Sequence, residues 1–128
     1  MAKILLTDDE AHVRHVMKFK LERAGFTVLT AGDGEEGYDT ARRALPDLIV
    51  SDLQMPRLDG LGLCRKLAGD PVTSQIPVIL VTSREFEVTE EDTGGTGVRR
   101  VMSKPFSPRA LLAAIVEVIS PPVAPAAR

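Results

Sequence analysis

Three aspartates, a threonine and a lysine stand out in this chain because together they could do chemistry that none could do alone. They are Asp8 and Asp9 in "LTDDE", Asp52 in "LIVSDLQMP", Thr82 in "LVTS" and Lys104 in "MSKP". Three carboxylates gathered within about 4–6 Å repel one another by roughly 1–4 kcal/mol per pair, at dielectrics between those of water and a protein surface. One lysine cannot balance them. A hard divalent ion held by carboxylates, a backbone carbonyl and water can, and Mg²⁺ suits an open, all-oxygen site of that kind. The expected protein ligands are Asp9 and Asp52 with the Gln54 carbonyl as the third, and Asp8 completes the acidic set. An ion, an ammonium and a hydroxyl around a carboxylate stabilise a phosphoryl group in transfer more than they stabilise a resting anion. Asp52 is then the nucleophile and forms an aspartyl phosphate, with Thr82 and Lys104 as the hydroxyl and ammonium facing it.

Counting from Asp9 to Asp52, Thr82 and Lys104, these residues lie 43, 30 and 22 positions apart, so a fold must gather them. Five short apolar runs offer the means: "KILLT" (3–7), "FTVLTA" (26–31), "DLIVS" (47–51), "IPVILVT" (76–82) and "VRRVM" (98–102). Runs apolar on both faces suit strands of a parallel sheet covered by helices on each side. In such sheets polar chemistry collects at the carboxyl ends of the strands, where all five residues fall. The apolar strand anchors Asp52 at the mouth of the sheet, and Met55-Pro56 and Asp59-Gly60 turn the chain back immediately beyond it.

Segments of helical period separate the strands. Val13, Val16, Met17, Leu21 and Ala24 mark a helix of about four turns that stops at Gly25. The second helix opens at "GDGEE", with Asp33 as cap and Glu36 completing a capping box, and ends before Pro46. The third runs from Gly60 through Leu61, Cys64 and Leu67 to "GDP" at 69–71. The last starts at Ser107-Pro108 and buries Leu111, Leu112, Ile115, Val116 and Ile119. The fourth segment, "REFEVTEEDTGGTG", places five acids in the eight residues 85–92 and has weak helix propensity. The whole reads as an α/β (βα)5 doubly wound sandwich.

Size and composition agree with one domain. The chain has 128 residues, 44% apolar and 27% charged, and single cores commonly form at roughly 100–200 residues. We expect a domain over residues 1–120 and a frayed tail over 121–128, where "PPVAPAAR" is a poor helix former. A net charge of −2 provides no field to hold nucleic acid phosphates, so direct nucleic acid binding is not expected. No apolar run approaches the roughly 20 residues needed to cross a bilayer. One cysteine, Cys64, makes no internal disulfide, and "MAKILLTDDE" lacks the core of a secretion signal, so the expected location is cytoplasmic.

Simpler roles exist for each residue taken alone. Asp8 or Asp9 could cap the first helix, Asp52 could serve a turn, and Lys104 could be a solvated charge. His12 and His15 lack further metal ligands and read as surface residues. Cys64 reads as packed rather than reactive, and Met55 as a cover over its loop. "TGGTG" at 93–97 has no following Gly-Lys-Ser/Thr and reads as a flexible connection. Arg99 and Arg100 suit an edge strand that resists sheet-to-sheet pairing.

Taken as an ordered set, "TDDE" at 7–10, "SDLQMPRLDG" at 51–60, "VTS" at 81–83 and "SKPF" at 103–106 resemble the receiver domain of two-component response regulators, over Lys3 to about Ile119. The resemblance implies a flavodoxin-like five-stranded parallel sheet of order 2-1-3-4-5, an order the chemotaxis receiver exemplifies. It implies phosphotransfer from a histidine kinase or phosphotransfer protein; because the sequence stops after the last helix, no effector domain is expected, and the expected output is contact with a downstream protein. Asp8 and Asp9 match the acidic pair, Asp52 the phosphoacceptor, Thr82 the switch hydroxyl and Lys104 the phosphate-contacting lysine. Slow self-dephosphorylation, rather than catalytic turnover, goes with it, and Gln54 and Arg84 lie where receivers tune access of water. The Lys104–Pro105 bond is expected to be cis.

One departure is informative. Receivers of this kind carry Tyr or Phe three residues before the lysine, and here that residue is Val101. A valine has one side-chain torsion and no phenol to move inward, so ordering of residues 85–97 is the expected route of the signal instead. Three rivals remain: a docking unit that works without phosphorylation, a phosphatase of the haloacid dehalogenase type, and a flavodoxin. The phosphatase would need an aspartate two residues after Asp52, where Gln54 stands. In a flavodoxin the loop after strand 1 must receive a phosphate that "TDDE" would repel.

Overall fold

A computed structural model describes residues 2–84, 88–104 and 107–119. Five strands and five helices alternate: β1 (Lys3–Thr7), α1 (Ala11–Arg23), β2 (Thr27–Ala31), α2 (Gly34–Ala44), β3 (Leu48–Asp52), α3 (Gly60–Ala68), β4 (Val78–Thr82), α4 (Glu90–Thr93), β5 (Val98–Ser103) and α5 (Pro108–Ile119). All strand pairings are parallel and the sheet order is β2-β1-β3-β4-β5. The expected cis bond at Pro105 and the tail at 121–128 lie outside the described residues, as do residues 85–87 of the weak segment.

The strands are apolar on both faces because each face is covered. On one side Ile4, Leu6, Val50, Ile79 and Val81 pack with Met17 and Leu21 of α1 and with Leu111 and Ile115 of α5. On the other, Leu5, Ile49, Val78 and Leu80 meet Ala41 of α2 and Leu63, Cys64 and Leu67 of α3. Burying each large side chain contributes roughly 1.5–3 kcal/mol. Two such cores hold the strand ends in fixed register, and that register positions the site.

β3 and β4 are buried at every position, as central strands must be. β5 lies at the edge, with Arg99 and Arg100 exposed. Val78 pairs with Val98 and Ile79 with Arg100, leaving Arg99 as an extra residue in a β-bulge. A bulge and two arginines on an edge oppose pairing with another sheet.

Several details differ from the sequence reading. Phe26, Asp47, Ile76 and Pro77 flank their strands rather than belong to them, and Asp52 is the last residue of β3. The N-cap of α1 is Glu10, without a side-chain cap, so neither Asp8 nor Asp9 caps it. Ala24 is the exposed C-cap of α1 rather than part of its buried stripe. Asp33 caps α2 by accepting from Glu36 N–H, but the Glu36 carboxylate reaches past the cap to Gly32 N–H (2.6 Å). Val116 is 53% exposed; with Ile115 fully inward, its neighbour about 100° around the helix faces out. The fourth segment forms only the four-residue α4, as its weak propensity suggested.

Candidate functional site

The site is built where four strands end. Thr7 closes β1 and Asp8 and Asp9 follow, Asp52 ends β3, Thr82 ends β4, and Lys104 comes directly after Ser103 of β5. Backbone hydrogen bonds stitch these ends together: Leu53 N–H to the Val81 carbonyl (3.0 Å), Lys104 N–H to the Thr82 carbonyl (2.9 Å) and Asp8 N–H to the Ala31 carbonyl (3.2 Å). The expected convergence of the five residues is present.

Asp8, Asp9 and Asp52 each offer a carboxylate oxygen within 4.8 Å of the others, with Asp8 and Asp52 buried and Asp9 exposed. Lys104 Nζ lies 3.3 Å from Asp52 Oδ2 and 3.7 Å from Asp8 Oδ2. Asp9, Asp52, Gln54, Thr82 and Lys104 border one open cavity of about 390 Å³. Three carboxylates face one ammonium, so the cluster carries excess negative charge, and its donors are hard oxygens with an open side toward solvent. That donor set fits a small divalent cation that keeps part of its water.

The electrostatics show the same excess. Asp52 is 8% exposed, and burial pushes its carboxyl above the usual range; the Lys104 charge opposes this and the Asp8 charge adds to it. For Lys104, burial pulls the ammonium down, but the attraction of Asp52, Asp8 and Glu10 outweighs it and the net direction is up. The nucleophile candidate is thus poorly solvated and only partly compensated within the chain.

Backbone geometry fixes Asp52 closely. A Cβ on Gly60 would lie 2.5 Å from the Asp52 carbonyl oxygen, so only glycine lets α3 begin this near the strand end. Gly60 N–H closes the loop onto the Leu53 carbonyl (2.7 Å), and Asp59 caps α3 through Gly62 N–H (2.7 Å). Asp8 is held by its Oδ1 accepting from Glu10 N–H (2.9 Å) and by Arg14 Nη1 donating to its carbonyl (2.6 Å). Thr82 Oγ1 accepts from Arg84 N–H (3.0 Å).

Some participants were not singled out in the sequence. Glu10 and Ser83 also border the cavity, although both sit inside the quoted "TDDE" and "VTS". Arg14 gave no signal, because a contact six residues away to a carbonyl follows no local rule. A second, mostly apolar cavity of about 530 Å³ opens beside the first between α1 and the start of α5, lined by Val13, Val16, Met17 and Pro108, and it shares Lys104 with the acidic one. His12 borders it and His15 is exposed; neither joins the carboxylate cluster.

Comparison with known proteins bears on this arrangement. Residues 4–116 match the family model of the response regulator receiver domain. The chain is 36% identical over 120 residues to protein PilH of Pseudomonas aeruginosa, covering 94% of this chain and 99% of that one. By contrast it spans about half the length of the first curated relatives it matches, such as the probable transcriptional regulator ycf27 of Porphyridium aerugineum (40% identical over 118 residues, 91% of this chain and 48% of that one). Among solved structures, chemotaxis protein CheY4 of Vibrio cholerae superposes with a TM-score of 0.85 at 30% identity, over 92% of this chain and 98% of that one. The receiver domain of sensor histidine kinase PA1611 of P. aeruginosa, solved with magnesium coordinated in its active-site cleft, gives 0.83 at 25% identity, over 92% and 97%. Sheet order, carboxylate cluster and these likenesses agree, and the chain belongs to the response regulator receiver domain family of two-component systems.

Proposed function

We propose that Asp52 accepts a phosphoryl group from a phosphohistidine of a histidine kinase or phosphotransfer protein. An Asp52 carboxylate oxygen bonds to phosphorus as the phosphorus–nitrogen bond breaks, and the departing imidazole takes the electron pair. Lys104, within reach of Asp52, balances the phosphoryl oxygens, and the Thr82 hydroxyl, at the adjacent strand end, donates to one of them. Mg²⁺ held by Asp9, Asp52 and the Gln54 carbonyl, with Asp8 in its acidic surround, would neutralise charge on the entering group. The apolar cavity along α1 would receive side chains of the phosphodonor protein. The observation that carries this reading is the meeting of three carboxylates within 4.8 Å beside Lys104, 3.3 Å from Asp52.

The same reading makes the protein a phosphoacceptor that hydrolyses its acyl phosphate slowly, with Gln54 and Arg84 governing water access, rather than an enzyme with external turnover. It assigns residues 1–120 to the receiver domain and 121–128 to a tail, and places the protein in the cytoplasm. No helix among the described residues is long and apolar enough to cross a membrane. Its output is contact with a downstream protein. Val101 is half-buried against the α2/α3 core, so the signal runs through ordering of residues 85–97, and amide exchange there rises in protection when beryllofluoride is added.

Intact mass after incubation with Mg²⁺ and acetyl phosphate tests the assignment. The parent gains one phosphoryl group and Asp52→Asn gains none. Equal labelling of both, or of neither, sinks it.

A further inference from the structure

Arg57 is one of two non-glycine residues with positive φ among those described, at 66°. An L-residue is disfavoured there, and when one is held in such a conformation its surroundings over-determine it. The surroundings are Asp33, whose Oδ2 accepts from both Arg57 Nε (3.0 Å) and Nη2 (2.7 Å). Its other oxygen accepts from Glu36 N–H at the start of α2 (2.8 Å). The arginine side chain is 61% exposed and the aspartate 13%. A surface pair contributes little to global stability, so this one is better understood by what it locates.

It locates the β3–α3 loop, residues 53–59, against the first turn of α2. Loop and helix already touch: Gly34 lies so close to the Leu58 carbonyl that no Cβ fits between them. Within the loop, Leu53 N–H bonds to Val81, Leu58 N–H to Pro56 (2.7 Å) and Gly60 N–H to Leu53. These bonds fix Leu53, Leu58 and Gly60, and Gln54 N–H faces the Asp52 carboxylate; none of them engages the Gln54 carbonyl, whose direction follows the turn that Arg57 closes.

We propose that the Arg57–Asp33 pair is a clasp setting the Gln54 carbonyl for the ion, which makes Arg57 a positioning residue for Mg²⁺; this rests on the metal ligands assigned above. Ligand oxygens must be held within a few tenths of an ångström for a small octahedral cation, and residues that support ligands tune affinity without touching the metal. The clasp acts on metal binding and leaves the transfer step itself to Asp52, Thr82 and Lys104.

Calorimetric Mg²⁺ titration of the parent, Arg57→Gly, Arg57→Ala, Asp33→Asn and the Arg57→Gly/Asp33→Asn double variant tests this. Asn keeps the α2 cap, and Gly accepts positive φ, so both variants fold. The Kd rises roughly three- to tenfold in Arg57→Gly and Asp33→Asn, further in Arg57→Ala, which keeps the strain and loses the clasp, and no further in the double variant than in Arg57→Gly. Phosphorylation by acetyl phosphate shows a higher Mg²⁺ requirement with an unchanged rate at saturating Mg²⁺. In metal-free protein, amide exchange of residues 53–60 speeds up in the same variants. Parent-like Kd values in Arg57→Gly and Asp33→Asn overturn the clasp. Failure of the parent to bind Mg²⁺, or undiminished binding by Asp52→Asn, overturns the ligand assignment instead.

Discussion

Two aspartates in this molecule, Asp52 at the mouth of the sheet and Asp70 at the α2/α3 seam, are pushed in opposite directions by their surroundings. Asp52 is buried beside other carboxylates, and burial raises its carboxyl pKa. Asp70 accepts from Tyr38 Oη (2.5 Å), Val72 N–H (2.9 Å) and Arg42 Nε (2.8 Å). Those donors, Tyr38 first, hold it down at about 2. Lys66 stacks its ammonium 4.5 Å from the Tyr38 ring centre, adding a cation to the same seam. The seam is electrostatically complete and ties α2 to α3. The crevice is incomplete, and an ionised group kept there costs stability until something cationic arrives. Residue type alone therefore says little; the number of donors around a carboxylate decides whether it holds the fold together or waits for a ligand.

The contrast breaks if removing the crevice's one lysine is harmless. Lys104→Met leaves Asp8 and Asp52 without their cation and lowers metal-free stability by on the order of 2 kcal/mol, and Mg²⁺ recovers most of it; thermal melts with chelator and with Mg²⁺ measure both. Asp52→Asn moves the other way. It relieves like-charge repulsion and raises metal-free stability by on the order of 1 kcal/mol, while Mg²⁺ stabilises the variant less than the parent.

Acid titration sharpens the comparison further. Because the folded pKa of Asp52 is raised, its penalty is present at neutral pH and fades as pH falls through that pKa. Because Asp70 is depressed, its contribution is present above about 4 and is lost as pH falls toward 2. Unfolding of metal-free Asp70→Asn followed from pH 5 to pH 2 shows a shallower acid loss than the parent, together with lower stability at pH 7. The smallest effect belongs to the exposed Arg100–Glu117 pair, 2.7 Å apart: Arg100→Ala leaves the melting temperature unchanged within error.

Much of this was legible in the sequence. Strands covered on both faces produce continuous apolar runs, and the sheet's one polar end then follows from which residues terminate them. Asp52, Thr82 and Lys104 were readable because each closes such a run or follows it within two residues. Leu63, fully buried, escaped notice because the expected stripe of α3 was drawn through Leu61, Cys64 and Leu67. Val116 was over-read because the inward arc of α5 runs through Leu111, Ala114 and Ile115, and residue 116, a further 100° round the helix from Ile115, falls outside it. Arg57–Asp33 and Tyr38–Asp70 join residues 24 and 32 positions apart. Polar pairs at that range leave no periodicity, and only folded coordinates reveal them.

Helix α4 has a further consequence. It is a single turn, Glu90–Thr93, whose reciprocal cap runs from Thr89 N–H to Asp92 Oδ2 (2.9 Å) and from Asp92 N–H to Thr89 Oγ1 (3.1 Å). So short a helix meets the cost of nucleation without gaining from propagation. It is therefore expected to open separately from the domain, and calorimetry and far-ultraviolet dichroism would be nearly blind to whether it is formed. Thr89→Ala unwinds it in residue-resolved NMR while the global transition stays where it was.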